Sequence, residues 1–87
     1  MRDEDIVAAI FDLLAHRAEG ATICPSDAAR ALAGDEAAWR ALMPEVRRVS
    51  AALAAQGRLR VTAHGVEVSA LEARGPIRLG RPAPDKG

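Results

Sequence analysis

The 87-residue chain is poor in aromatic residues, cysteine and lysine, with one Phe, one Trp, no Tyr and one Cys. A single cysteine cannot form an internal disulfide, which is typical of a reducing compartment, and we expect a cytoplasmic protein. No run of about 18 apolar residues is present, so we expect no membrane-spanning segment and no membrane partner. Residues 3–5 are all acidic, which is unlike the basic start of a secretory signal.

Alanine accounts for much of the apolar composition. Hydrophobic residues make up 49% of the chain, and 20 of them are alanines. A chain of this size buries only a modest fraction of its surface, so a small number of larger side chains must form the core. The composition therefore predicts one small domain.

The charges are unevenly distributed, although the formal net charge is zero. Residues 1–43 hold eight acids and four bases, whereas residues 44–87 hold four acids and eight bases. Such an asymmetry between halves is a weak indication of contact with nucleic acid or an acidic partner.

The first third of the chain predicts two helices. Apolar residues recur at helical spacing over residues 3–18, and Gly20 is expected to end this helix. Residues 21–24 are long enough only for a brief sheet edge. Ser26 is a good N-cap for a short second helix over residues 27–33.

The middle of the chain has a helical pattern from Asp35 to Gln56, interrupted by Pro44. Proline inside a helix removes a hydrogen bond and clashes with the preceding turn, but it is favourable at the first position of a helix. We therefore predict a short turn of helix over residues 37–42 and a separate helix over residues 44–56. Gly57 is expected to end the second one.

After Gly57 the apolar period changes from 3.6 to 2, which predicts a β-hairpin. Apolar and polar side chains alternate over residues 58–62 and 66–68, and His64-Gly65 is a plausible two-residue turn between these strands. This register places Thr62 opposite Glu67, and it places Val61 and Leu59 opposite Val68 and Ala70 on the other face.

The order of elements predicts an α+β, mostly α fold. Helices joined by a short glycine-containing turn and followed by a hairpin describe a winged helix-turn-helix, with a three-helix core and a C-terminal hairpin as wing. A plain three-helix bundle with an added hairpin and an unfamiliar α+β arrangement are the alternatives. The domain is expected over residues 1–79, where Ile77 and Leu79 dock back as an extended segment, and residues 80–87 are expected to form a flexible tail.

Several short motifs together resemble one family. They are Ile23-Cys24-Pro25-Ser26, Ala29-Arg30, Trp39-Arg40, Met43-Pro44-x-Val46-Arg47 and Gly75-Pro76-Ile77-Arg78. Over residues 6–79 the chain resembles a bacterial family of small uncharacterised proteins with winged-helix character. The resemblance implies the fold, and it brings no catalytic residue, ligand or partner.

The leading functional hypothesis is binding to duplex DNA, with residues 44–56 as recognition helix and the hairpin as wing. Phosphate contacts would supply affinity, and base-edge contacts would supply specificity. Specificity is expected to be modest, because the outward face of the helix is mostly alanine, which cannot form bidentate bonds to bases. The candidate binding residues are Arg47, Arg48, Ser50, Arg58, Arg60 and His64, with Arg74, Arg78 and Arg81 extending the basic track.

Two other interpretations remain open. The arginines can be an ordinary solvated face, or the domain can bind another protein or itself. An alanine-rich helix face allows close approach of a partner, and Trp39 would be an interface anchor if exposed. In a chain with one Trp and one Phe, however, Trp39 is expected to lie in the core.

No enzymatic, metal or cofactor site is expected. Cys24 precedes a helix N-terminus, where a thiolate is stabilised, but neither His16 nor His64 has a spacing that indicates a partner base. One cysteine and two dispersed histidines match no metal-ligand spacing. Arg30 is expected to be an ion-pair or capping partner of an acid such as Asp12 or Asp35.

Overall fold

Three helices are followed along the chain by three short strands, in the order expected from the apolar periodicity. The computed structural model describes residues 1–82. The elements are α1 (Asp3–Ala15), α2 (Pro25–Leu32), α3 (Glu36–Ala55), β1 (Arg60–Ala63), β2 (Val66–Glu67) and β3 (Arg78–Gly80). The prediction of an α+β, mostly α fold is confirmed, and the arrangement is consistent with a winged helix.

Helix α1 buries one stripe and ends earlier than predicted. Ile6, Ile10 and Leu14 recur every four residues and are at most 2% exposed. The predicted end at residue 18 is wrong, because the helix stops at Ala15. The residues that follow are polar and exposed, and His16 binds the Asp12 carbonyl through Nδ1 at 2.7 Å, so no buried contact extends the helix.

Helix α2 starts at Pro25, and its N-cap is Cys24. The prediction of Ser26 as cap is therefore wrong by two residues. Proline suits the first helical position because its missing N–H would have no partner there. The Asp27 carboxylate accepts the backbone N–H of Cys24 at 2.9 Å, which fixes the entry of the chain into the helix.

Helix α3 is continuous across Pro44, so the predicted break between two helices is wrong. The half-buried Trp39 and Leu42 before the proline share one face with the buried Val46, Val49 and Leu53 after it. Packing of this stripe on both sides of the proline offsets the hydrogen bond that it removes.

Both ends of α3 are capped, and the predicted end at Gly57 is confirmed. The Asp35 carboxylate accepts the N–H of Ala38 at 2.8 Å. At the other end Gly57 has a φ of 73°, and the N–H groups of Gly57 and Arg58 bind the carbonyls of Ala54 and Leu53. This pair of bonds is a Schellman motif, in which glycine accepts the left-handed conformation.

The sheet has the order β2-β1-β3, and both pairs are antiparallel. His64 and Gly65 have φ values of 51° and 80°, which describe the predicted two-residue turn, and Thr62 lies opposite Glu67 as expected. One further bond, from the Val68 N–H to the Val61 carbonyl at 3.0 Å, continues the hairpin as expected. The expected pairing of Leu59 with Ala70 is not formed, although both side chains are buried.

The returning segment forms a third strand on the other side of β1. Val61 pairs with Leu79, and Ile23 bridges Leu79 through two N–H···O bonds of 2.8 Å. The predicted docking of Ile77 and Leu79 and the predicted brief edge at residues 21–24 are confirmed. Both side chains of the returning segment are at most 2% exposed.

The predicted tail begins at Gly80, which is the last residue of β3 and is buried. The remainder of that prediction falls on residues 83–87, outside the described residues. No helix among residues 1–82 combines the length and the apolar composition that a membrane crossing requires.

The continuous α3 generates a stability prediction. Pro44 is exposed and is the ninth residue of the helix, so Pro44→Ala should restore a backbone hydrogen bond without changing the core. We expect a gain of about 1–3 kcal/mol in the free energy of unfolding, measured by urea titration with an unchanged m-value. As control, Ala41→Pro at another exposed position of α3 should lower the free energy of unfolding by about 3 kcal/mol or more. A loss of stability in Pro44→Ala would contradict a continuous helix.

Candidate nucleic-acid interface

Arg47 is half-buried and points toward the chain that joins β2 to β3. Its guanidinium donates to three backbone carbonyls, those of Ala70 at 3.3 Å, Ala73 at 3.1 Å and Gly75 at 2.8 Å. Bonds from a charged donor are stronger than neutral ones, and the planar guanidinium can reach several acceptors at once. Arg47 therefore holds this connecting segment in place and is not presented to a ligand.

Arg48 is exposed but lies between two carboxylates. It donates to both oxygens of Asp3, at 2.6 and 3.1 Å, and to Glu45 at 2.8 Å. The hydrogen bond from Arg48 lowers the pKa of the Asp3 carboxyl, and Asp3 and Glu45 raise the pKa of Arg48. These three side chains together carry one net negative charge, which repels a phosphate.

Ser50 is fully buried, so its predicted place on the outward face is wrong. Its hydroxyl donates to the carbonyl of Val46, one turn earlier, at 2.7 Å. This bond satisfies the polar group inside the core and leaves it no access to a nucleic acid.

The outer face of α3 is nearly neutral as a whole. Besides Arg48 and Glu45 it carries Arg40, which pairs with Glu36 at 2.7 Å. The rest of the face is alanine together with Pro44. A continuous positive stripe along the helix is therefore not formed.

Of the predicted wing residues, Arg58 and His64 are exposed but do not converge. The Arg58 guanidinium lies over the ring of Phe11 on α1, 5.4 Å from its centroid. His64 is at the tip of the hairpin turn, at the far end of β1. Arg74 is exposed in the segment that Arg47 holds.

Arg60 and Arg78 lie together on the outer face of the sheet. Val61 and Leu79 point into the core, so the residues beside them point outward. Because Thr62 pairs with Arg78 and Arg60 pairs with Gly80, the two arginines are diagonal neighbours, with a spacing of about 7–8 Å. The sequence analysis put Arg60 in the wing and Arg78 in the returning segment, and it did not predict that they would be neighbours.

Arg78 and Arg81 are oriented by hydrogen bonds to neighbouring segments. Arg78 donates through Nε to the Thr22 hydroxyl at 2.9 Å and through Nη2 to the Thr22 carbonyl at 3.0 Å. Arg81, next to the end of β3, donates to the Leu14 carbonyl at 3.2 Å. Arg60 and Arg78 lie on the outer face, and Arg81 follows β3 and reaches toward the end of α1; we refer to these three as the sheet-face arginines.

Carboxylates interrupt this face less than they interrupt α3. The Arg60 Nε atom is 3.9 Å from Glu67, and that glutamate side chain is 74% exposed. An exposed pair at this distance contributes little and leaves the guanidinium available. The arginines of the sheet face are thus paired less closely with carboxylates than those of α3.

Trp39 is half-buried and is flanked by two guanidinium groups. The Arg30 and Arg40 groups lie 4.6 and 4.8 Å from its ring centroid. Arg30 thus stacks on Trp39, a cation–π contact that the expected ion-pair or capping role did not include. Trp39 packs against the core, and both guanidinium groups lie over its ring.

Cys24 has a hydroxyl rather than a base beside it. Its Sγ atom is 3.3 Å from the Ser26 Oγ atom, and both histidines are exposed on other parts of the chain. Among residues 1–82, no three His, Cys, Asp or Glu side chains form a cluster suited to a metal ion.

Comparison with known proteins gives a family. The family described as Protein of unknown function (DUF3253) matches residues 3–82, nearly the whole chain, so the chain belongs to it. A comparison with curated proteins finds no match.

The role of Arg47 generates the prediction of this subsection. Arg47→Gln removes the guanidinium group that donates to three backbone carbonyls, and we expect a loss of about 1–3 kcal/mol in the free energy of unfolding. Amide exchange at Leu79, whose N–H binds the Ile23 carbonyl, should accelerate, because β3 loses its support. Arg74→Gln is the matched control, with the same change of charge at an exposed position. Equal effects of the two variants would contradict the structural role of Arg47.

Proposed function

We propose that this DUF3253 domain binds nucleic acid with modest sequence specificity, and that it does so through the outer face of its sheet. The observation that carries the proposal is the grouping of the sheet-face arginines, Arg60 and Arg78 as diagonal neighbours with Arg81 at the edge. The arginines of α3 are instead bound to carbonyls or carboxylates.

The free donors of these arginines suit phosphate oxygens. Arg78 uses Nε and Nη2 on Thr22, and its Nη1 makes no hydrogen bond to the residues that the structure describes. Arg60 is paired only loosely, at 3.9 Å. Guanidinium groups bind phosphate through several N–H donors, and such contacts supply most of the affinity of non-specific binding.

The same surface explains why specificity should be modest. Contacts to phosphate fix position and orientation but carry no information on sequence. Glu67 lies on the same face and reduces its positive charge. In winged-helix proteins base readout belongs to the recognition helix, and the outer face of α3 offers mainly alanine and paired charges.

Salt-dependent binding to duplex DNA tests the proposal. We expect Arg60→Gln with Arg78→Gln to weaken binding at low salt and to reduce the slope of log K against log salt by about two, one unit for each lost contact. The matched control is Arg40→Gln with Arg48→Gln, which removes the same charge from α3 and should leave the slope near that of the wild type. Fluorescence anisotropy measures both, and thermal unfolding confirms that each variant folds. Absence of binding at low salt, or equal effects of the two double variants, would overturn the proposal.

A second function, protein interaction or homodimerisation, is supported by one apolar hollow. A hollow of about 420 Å³ is lined by Met43 and Pro44 of α3, by Ala70 and the 66% exposed Leu71, and by Arg47 as its one charged residue. Exposed apolar patches are typical of contact surfaces. Sedimentation at high protein concentration tests the homodimer, and a strict monomer would contradict it.

A further inference from the structure

A second concave site lies at one end of the sheet face. It is a pocket of about 430 Å³ between the segment that follows α1 and the ends of β1 and β3. Its polar lining consists of Glu19 and Thr22 from that segment, Arg60 and Thr62 from β1, and Arg81 after β3.

The floor of the pocket depends on Gly80. This residue pairs with Arg60 and faces the same side of the sheet, since Leu79 between Gly80 and Arg78 points into the core. A Cβ atom at position 80 would lie 3.1 Å from the Thr22 methyl group, closer than ordinary contact. Glycine therefore lets the Thr22 side chain pack closely on the sheet at the floor of the pocket, and a larger residue at position 80 would push that side chain away.

Several of the residues that line this space carry hydrogen-bond donors. Thr22 Oγ1 already accepts from Arg78, so its own hydrogen remains to be donated. Arg81 is held by one bond to the Leu14 carbonyl and keeps its other N–H groups, and Arg60 and the Thr62 hydroxyl complete the lining. Two guanidinium groups and two hydroxyls form a donor set that matches an oxyanion with several oxygens.

The charge and shape indicate which anion fits. Arg60 and Arg81 outweigh Glu19, so the lining carries one net positive charge. In a phosphodiester the chain continues on both sides of the phosphate, so it would have to leave the pocket in two directions. A phosphate monoester ends in the pocket and carries more negative charge. The volume is within the range of small-ligand pockets and leaves room for a group attached to the phosphate. Glu19 can accept a hydrogen bond from a hydroxyl of that group.

We propose that this pocket binds a phosphate monoester. The monoester can be the terminal phosphate of a nucleic-acid strand or a small molecule such as a nucleoside monophosphate. The first source rests on the proposed function, and the second does not.

Four probes separate these sources in NMR or calorimetric titrations: adenosine 5′-monophosphate, adenosine, and one 12-nucleotide strand with and without a 5′-phosphate. We expect the monophosphate to bind with a Kd of about 1 mM or below and adenosine not to bind, with amide shifts centred on Thr22 and Gly80. For the strand source, the 5′-phosphate should tighten binding by about fivefold or more.

Matched variants test the pocket itself. Gly80→Ala fills the floor and should abolish the preference for a monoester, and Thr62→Val, which removes one donor at constant shape, should weaken it severalfold. Gly34→Ala is the control, because a Cβ atom there meets nothing within 4 Å.

The outcomes distinguish the two proposals. Binding of the monophosphate without binding of duplex DNA supports the pocket and overturns the proposed function. Binding of duplex DNA, with no binding of the monophosphate and no effect of a 5′-phosphate, overturns the pocket proposal and leaves the proposed function in place. A Gly80→Ala variant that keeps the monoester preference of the wild type also overturns the pocket proposal.

Discussion

The three bonds from the Arg47 guanidinium to backbone carbonyls are the interaction on which the sheet depends. The connection between β2 and β3 has little regular structure of its own, and its carbonyls at Ala70, Ala73 and Gly75 converge on this one side chain. By holding the connection against α3, Arg47 directs the chain back to β1. Strand β3 can then pair with β1 on one side and with Ile23 on the other.

The placement of β3 decides where positive charge is available. It brings Arg78 beside Arg60 and puts Gly80 and Arg81 at the edge of the same face. The helix face, in contrast, uses its arginines to bind Asp3, Glu36 and Glu45. Two of these acids, Glu36 and Glu45, lie on α3 itself, and of these pairs only the bond between Asp3 and Arg48 joins the acidic first half of the chain to the basic second half. The helix face therefore consists of closely paired charges, whereas the arginines of the sheet face are less closely paired with carboxylates.

The sequence predicts local features well and distant partners poorly. The hairpin register was predictable because a two-residue turn and a period of two leave one arrangement that buries Val61. Pro44 was misleading because its local cost is smaller than the gain from packing on both sides of it. Ser50 follows Val46 by four residues, a spacing that indicates burial, but its hydroxyl suggested the surface. Arg47 and Arg48 are adjacent, yet the carbonyls that bind Arg47 and the Asp3 carboxylate that binds Arg48 lie more than 20 residues away in opposite directions, and no pattern in the sequence indicates them. Among the contacts of these two arginines, only the pair of Arg48 and Glu45 follows a helical spacing.

The most direct measurement is a map of backbone amide shifts when unlabelled duplex DNA is added to the ¹⁵N-labelled protein at low salt. Binding through the sheet predicts that the largest shifts cluster at Arg60, Thr62 and Arg78, while amides along the outer face of α3, including Arg48, change little. Shifts that follow α3 instead, with β1 and β3 unperturbed, would contradict the sheet as the binding surface.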